Sequence, residues 1–143
     1  MLAKILIAWC LVAATVIIHA VGLVMLLVPV LHSRLRPDHP FWSVMWLVIQ
    51  TAWCLILLHL AEIAVWGLFY WWQQCLPDVE SSFYFAGVTY TTLGYGDLVL
   101  PKAWRLFGPI EGLTGILMCG LSTGFFFAMM SRIYGSRLEA KAR

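Results

Sequence analysis

Apolar positions in this chain gather into three long runs. Residues 5–31 are interrupted by one ionisable side chain, His19; residues 41–72 contain Gln50, His59 and Glu62; residues 104–134 carry Glu111 as their one acid. Each run exceeds the ~20 residues that an apolar helix needs to cross a bilayer. A cleaved signal peptide has an apolar region of only roughly 7–15 residues, so the first run reads as a mature span. Between the second and third runs, residues 73–105 are polar at both ends and apolar in the middle. The middle, 81–91, is too short to span but long enough for about three helical turns. Asp78, Glu80 and Ser81 suit the start of that helix, where free N–H groups and the positive end of the dipole collect. The pattern predicts a first helix over 1–31, a connector over 32–40 and a second helix over 41–72. A short re-entrant helix over 80–91, a loop over 92–97, a last helix over 103–134 and a short tail complete it.

Composition places these helices in lipid. Of 143 residues, 62% are hydrophobic and 11% charged, against about 45–50% and about 25% in a soluble domain. The formal charge of +2, with no basic patch interleaved with aromatics, gives no reason to expect nucleic acid or a soluble substrate as partner. The fold class expected is an all-α membrane protein in contact with lipid. Cations set its orientation. Six of the nine, Arg34, Arg36, Arg132, Arg137, Lys141 and Arg143, share one side if all three runs cross. That side, with the C-terminus, is expected to be cytoplasmic, and the N-terminus and re-entrant loop outside; Lys4 alone argues against it. Trp42 and Trp46 at one end of the second run, and Tyr70, Trp71 and Trp72 at the other, suit interfacial anchors. Cys10, Cys54 and Cys119 fall in apolar runs and read as buried, inert thiols, while Cys75, in a polar stretch, reads as the exposable one.

Residues 89–97, Thr-Tyr-Thr-Thr-Leu-Gly-Tyr-Gly-Asp, carry the chemistry. A dehydrating cation needs a cage of oxygens in place of its water, and backbone carbonyls can supply it. Successive carbonyls point the same way only if the chain visits conformations that a Cβ resists, and Gly94 and Gly96 relieve that constraint. Leu93 and Tyr95 can then turn their side chains outward, and the Thr92 hydroxyl can add one more ring of oxygen. Such irregular backbone survives at membrane depth only where it is buried in protein or lines water. One loop cannot enclose a pore; four copies around an axis can, so a homotetramer is expected.

This stretch resembles the signature of potassium channels, T-V/I-G-Y/F-G-D, in the two-transmembrane-type pore family. The likeness covers roughly residues 69–134, and the chain resembles a bacterial member with an extra N-terminal transmembrane helix. The resemblance implies a K⁺-channel pore domain over 41–143: outer helix, pore helix, selectivity filter and inner helix. It implies K⁺, the transported ion, at the carbonyls of Thr92, Leu93, Gly94 and Tyr95, with Gly96, Asp97, Tyr84 and Phe85 supporting the filter. Tyr95 would act as a spring within an aromatic cuff. Two departures stand out. Leu93 replaces the commoner Val or Ile without changing its carbonyl. Val88 stands where some members place a glutamate paired with the filter aspartate, so that coupling is expected to be absent. A poorly selective cation channel and a non-conducting accessory subunit are the alternatives; the intact Tyr95 and the costly glycine ladder argue against each in turn. No Ser-His-Asp grouping, phosphate loop or H-E-x-x-H suggests an enzyme.

No span holds an Arg-x-x-Arg ladder, and only a dozen residues follow Ser131, so neither a voltage sensor nor a ligand-binding domain is expected. Gating candidates therefore lie in the membrane. Gly115 falls where the resemblance puts an inner-helix hinge, although close packing explains such a glycine equally. His59 and Glu62 stand one turn apart on one helix face, as either a polar clamp or a proton sensor. Glu111 and Arg105 are candidate partners for Glu62. A metal site at His59 and Glu62 is a further, lesser reading, because two ligands alone are too few, and His19 reads as a hydrogen-bonded packing residue.

Overall fold

In hydrocarbon a chain must satisfy its own backbone hydrogen bonds, which leaves helices as the solution for long apolar runs. The computed structural model describes residues 2–32 and 41–141. Helix α1 runs Leu2–His32, α2 Phe41–Trp72, α3 Val79–Tyr90 and α4 Phe107–Lys141, with no strand among the described residues. Helices α1, α2 and α4 are long and apolar enough to cross a membrane. The protein is an all-α membrane protein. The connector containing Arg34 and Arg36 lies outside the described residues.

Helix α4 starts later than the run predicted from residue 103. Residues 101–106 are spent on turns, with the Trp104 N–H donating to the Pro101 carbonyl (2.8 Å) and the Phe107 N–H to the Trp104 carbonyl (2.9 Å). The helix also continues through Gly135 to Lys141, because no proline or strong cap follows Tyr134.

The core gathers where α2 and α4 pack on the short α3, with α1 laid against α2 and α4. Trp66, Tyr70 and Tyr90 are fully buried there. Phe69 stacks on Phe107 with ring centroids 5.3 Å apart, and Trp104 meets both rings edge-on. A smaller cluster, Met129 and Ile133 with Val44, Leu47 and Val48, closes α2 against α4 at the other end. Helix α4 presses on the end of α3 so closely that a Cβ at Gly115 would run into the Tyr90 carbonyl oxygen.

Helix α1 docks through polar contacts as well as apolar ones. The Trp66 indole N–H donates to the Thr15 hydroxyl (3.1 Å), which itself donates to the Leu11 carbonyl (2.9 Å). Lys4 donates to the Ala103 carbonyl (2.6 Å) and its ammonium sits 4.8 Å from the centre of the Trp104 ring. The start of α1 therefore lies on the same face as the loop after residue 97, and Lys4 is held by partners there.

The cysteines reverse the expectation. Cys10, Cys54 and Cys119 are exposed and Cys75 is buried. The first three lie on faces of apolar helices that no other helix of the chain covers. Cys75 is folded under the end of α2, its N–H donating to the Tyr70 carbonyl (2.9 Å).

Candidate functional site

The loop after α3 is positioned from the first residue of that helix. Asp78 caps it in extended conformation, its carboxylate accepting from the Ser81 N–H (2.7 Å) and the Ser81 hydroxyl (3.0 Å). Those bonds hold the Asp78 carboxyl below its usual range. At the far end the Thr91 hydroxyl donates to the Gly87 carbonyl (2.6 Å). The chain then doubles back: the Thr92 N–H donates to the Thr89 carbonyl (3.0 Å), and the Leu93 and Gly94 N–H groups share the Val88 carbonyl at 3.0 and 3.2 Å.

From there the backbone alternates. Thr92, Gly94 and Gly96 have φ of 62°, 56° and 77°, while Leu93 and Tyr95 between them stay at negative φ. A β-branched residue in the left-handed region is a genuine outlier. Alternating hand is what turns consecutive carbonyls to one side of a strand-like segment. Leu93 and Tyr95 are 59% and 67% exposed within the single chain, so nothing in their own chain packs over them.

Tyr84 and Asp97 form a pair that residue spacing did not suggest. The Tyr84 hydroxyl donates to Asp97 Oδ2 (2.7 Å), and Asp97 Oδ1 accepts from the Leu98 N–H (3.0 Å). The Tyr84 bond is the main reason that the Asp97 carboxyl lies below its usual range. The aspartate thus has a partner on α3 although Val88 cannot be one; that partner is a hydroxyl one turn earlier. Phe85 stands between loop and core, edge-on to Tyr70 with centroids 5.3 Å apart, and lines a cavity of about 120 Å³ beside Gly94 and Gly96.

Behind the loop lies a buried polar cluster. Glu62 is inaccessible to solvent. His19 Nδ1 is 2.8 Å from its Oε1, and His59 Nδ1 is 3.4 Å from its Oε2. The Tyr90 hydroxyl also donates to Glu62 Oε2 and lies 3.1 Å from His59 Nδ1. Ser122 Oγ of α4 is 3.5 Å from His19 Nε2. All four helices contribute. This corrects one expectation: Glu62 is partnered by His19, His59 and Tyr90 and not by Glu111 or Arg105, while His19 is buried and hydrogen-bonded as expected. Glu111 is also inaccessible, but its Oε2 accepts from the Tyr70 hydroxyl (2.8 Å), and its Oε1 has no partner among the described residues. Arg105 lies exposed in the turn before α4. The positions of His19, His59 and Glu62 within apolar runs, and the one-turn spacing of the last two, were the signals the sequence offered; the rotation of α1 that joins His19 to them was not in it.

Comparison with known proteins agrees with this geometry. A family model described as "Ion channel" matches residues 41–132, well over half of the chain, and leaves α1 outside. The A-type voltage-gated potassium channel KCND3 of Rattus norvegicus, of Oryctolagus cuniculus and of Homo sapiens are each 42% identical over 68 residues, 46% of this chain and 10% of the relative. The chain therefore spans about a tenth of the length of these curated relatives. No solved structure matches it. With a short helix, a loop of alternating backbone hand and two flanking apolar helices inside the matched region, the chain belongs to this ion-channel family.

Proposed function

We propose that this protein is a potassium-selective channel, a homotetramer that conducts K⁺ passively through a filter made of residues 92–97. In this reading the carbonyls of Thr92, Leu93, Gly94 and Tyr95, with the Thr92 hydroxyl, replace the ion's hydration shell. Gly96 permits the last reversal, while Tyr84, Phe85 and Asp97 brace the filter from behind. The observation that carries the reading is the alternation of φ through Thr92, Gly94 and Gly96. A threonine held left-handed costs roughly 1–2 kcal/mol, and such strain persists where function uses it.

The exposed Leu93 and Tyr95 support the tetramer. Non-helical backbone cannot face lipid, so neighbouring copies would cover these side chains while the carbonyls face a shared axis. The cation distribution supports a cytoplasmic C-terminus and an outward filter mouth in a plasma or inner membrane. Opening and closing would involve Gly115, at the contact between α4 and the base of the filter, and the buried acids Glu62 and Glu111 with His59.

Reversal potential in planar bilayers under a KCl/NaCl gradient tests the reading. The wild-type protein should reverse near the K⁺ equilibrium potential, and Tyr95→Ala should lose that preference. A wild-type current without preference for K⁺ would overturn it.

A further inference from the structure

The cluster at the meeting of α1 and α2 has the composition and spacing of a transition-metal site. His19, His59 and Glu62 each present one ligand atom, and these atoms all lie within 4.8 Å of one another. A four-coordinate Zn²⁺ with bonds of about 2.0–2.2 Å separates neighbouring ligand atoms by about 3.4 Å. The separation from His59 Nδ1 to Glu62 Oε2, 3.4 Å, equals that value, and that from His19 Nδ1 to Oε1, 2.8 Å, is shorter and would open as an ion entered. Two imidazoles and a carboxylate suit zinc and its d-block neighbours, whereas Ca²⁺ and Mg²⁺ call for all-oxygen cages. Both imidazoles face the carboxylate with Nδ1, so one cation can replace two N–H donors. His19 Nε2 would then carry the proton toward Ser122 Oγ, at 3.5 Å, an outer contact of the kind that orients metal-bound histidines. The Tyr90 hydroxyl borders the remaining coordination position. His59 is the part-exposed member, 19% accessible within the single chain.

We propose that His19, His59 and Glu62 bind one divalent transition-metal ion, with Zn²⁺ the best fit, and thereby fasten α1 to α2. The residue bordering the site, Tyr90, ends α3 two positions before Thr92, so occupancy would brace the base of the loop. The proposal stands on the cluster's geometry and does not depend on K⁺ selectivity.

Binding is therefore measured without current. Full-length protein in detergent, carrying Cys10→Ser, Cys54→Ser and Cys119→Ser to remove exposed thiols, is titrated with Zn²⁺ by equilibrium dialysis and with Co²⁺ by visible absorption. One saturable Zn²⁺ per chain and the intense absorption of four-coordinate Co²⁺ are expected. His59→Gln and Glu62→Gln should each weaken binding about tenfold or more, and His59→Gln, at the part-exposed position, should keep the metal-free melting profile and elution volume. Absence of saturable binding, or unchanged affinity in a folded His59→Gln protein, would overturn the proposal and leave the cluster a hydrogen-bonded clamp.

Discussion

Threonine 92 and aspartate 97 show how single residues hold the loop in place. Thr92 sits at φ 62°, where its branched side chain is strained, and the N–H bonds to Thr89 and Val88 pin it there. Asp97 is tied at the other end by Tyr84. Because Tyr84 holds the Asp97 carboxyl below its ordinary value of 3.8, the pair's contribution to stability is fully present above that value. It is lost only as the pH falls below it, through the lowered folded value. Tyr84→Phe should therefore move the Asp97 titration midpoint, read by carbon NMR in nanodiscs, up toward 3.8. An unmoved midpoint would mean that the hydroxyl does not reach the carboxylate in the assembled protein. Gly-x-Gly spacing made the loop's left-handed backbone legible from sequence, since only glycine takes that conformation without strain. The Tyr84 pair was not legible, because residues 84 and 97 meet only after the chain has reversed.

At the scale of elements, apolar run length revealed three spans and a short helix, and the caps at Asp78 and Thr91 bound that helix at Val79–Tyr90. Turn formation before Phe107 was hidden within an apolar run, because hydropathy does not distinguish a turn from the helix it precedes. The contact between α4 and α3 decides what Gly115 tolerates. A methyl group there meets backbone and not a movable side chain, so Gly115→Ala should cost about 1–3 kcal/mol. It should lower the thermal midpoint of the purified protein. Gly120, with nothing within 4 Å in its own chain, is the comparison: Gly120→Ala should leave the single-chain packing intact. Equal losses for the two variants would mean that the Gly115 contact is not the cause.

For the whole molecule, α1 is the element that a pore of two spans and a loop does not require, yet it closes the buried cluster. Removing residues 1–31 takes His19 from Glu62 and Thr15 from Trp66, two groups inaccessible to solvent. The truncated protein should assemble in lower yield by size-exclusion chromatography while keeping its reversal potential; a full yield would show that α1 is dispensable to assembly. Sequence alone determined the membrane character, the number of apolar spans and the glycine-bearing loop of alternating backbone hand, because each rests on local physics: run length against bilayer thickness, and glycine against backbone hand. The tertiary structure alone decided that His19 joins His59 and Glu62, that Tyr70 takes Glu111, and that Tyr84 secures Asp97. Those contacts depend on how each helix is rotated about its axis, and uniformly apolar spans carry little periodic signal from which that rotation can be read.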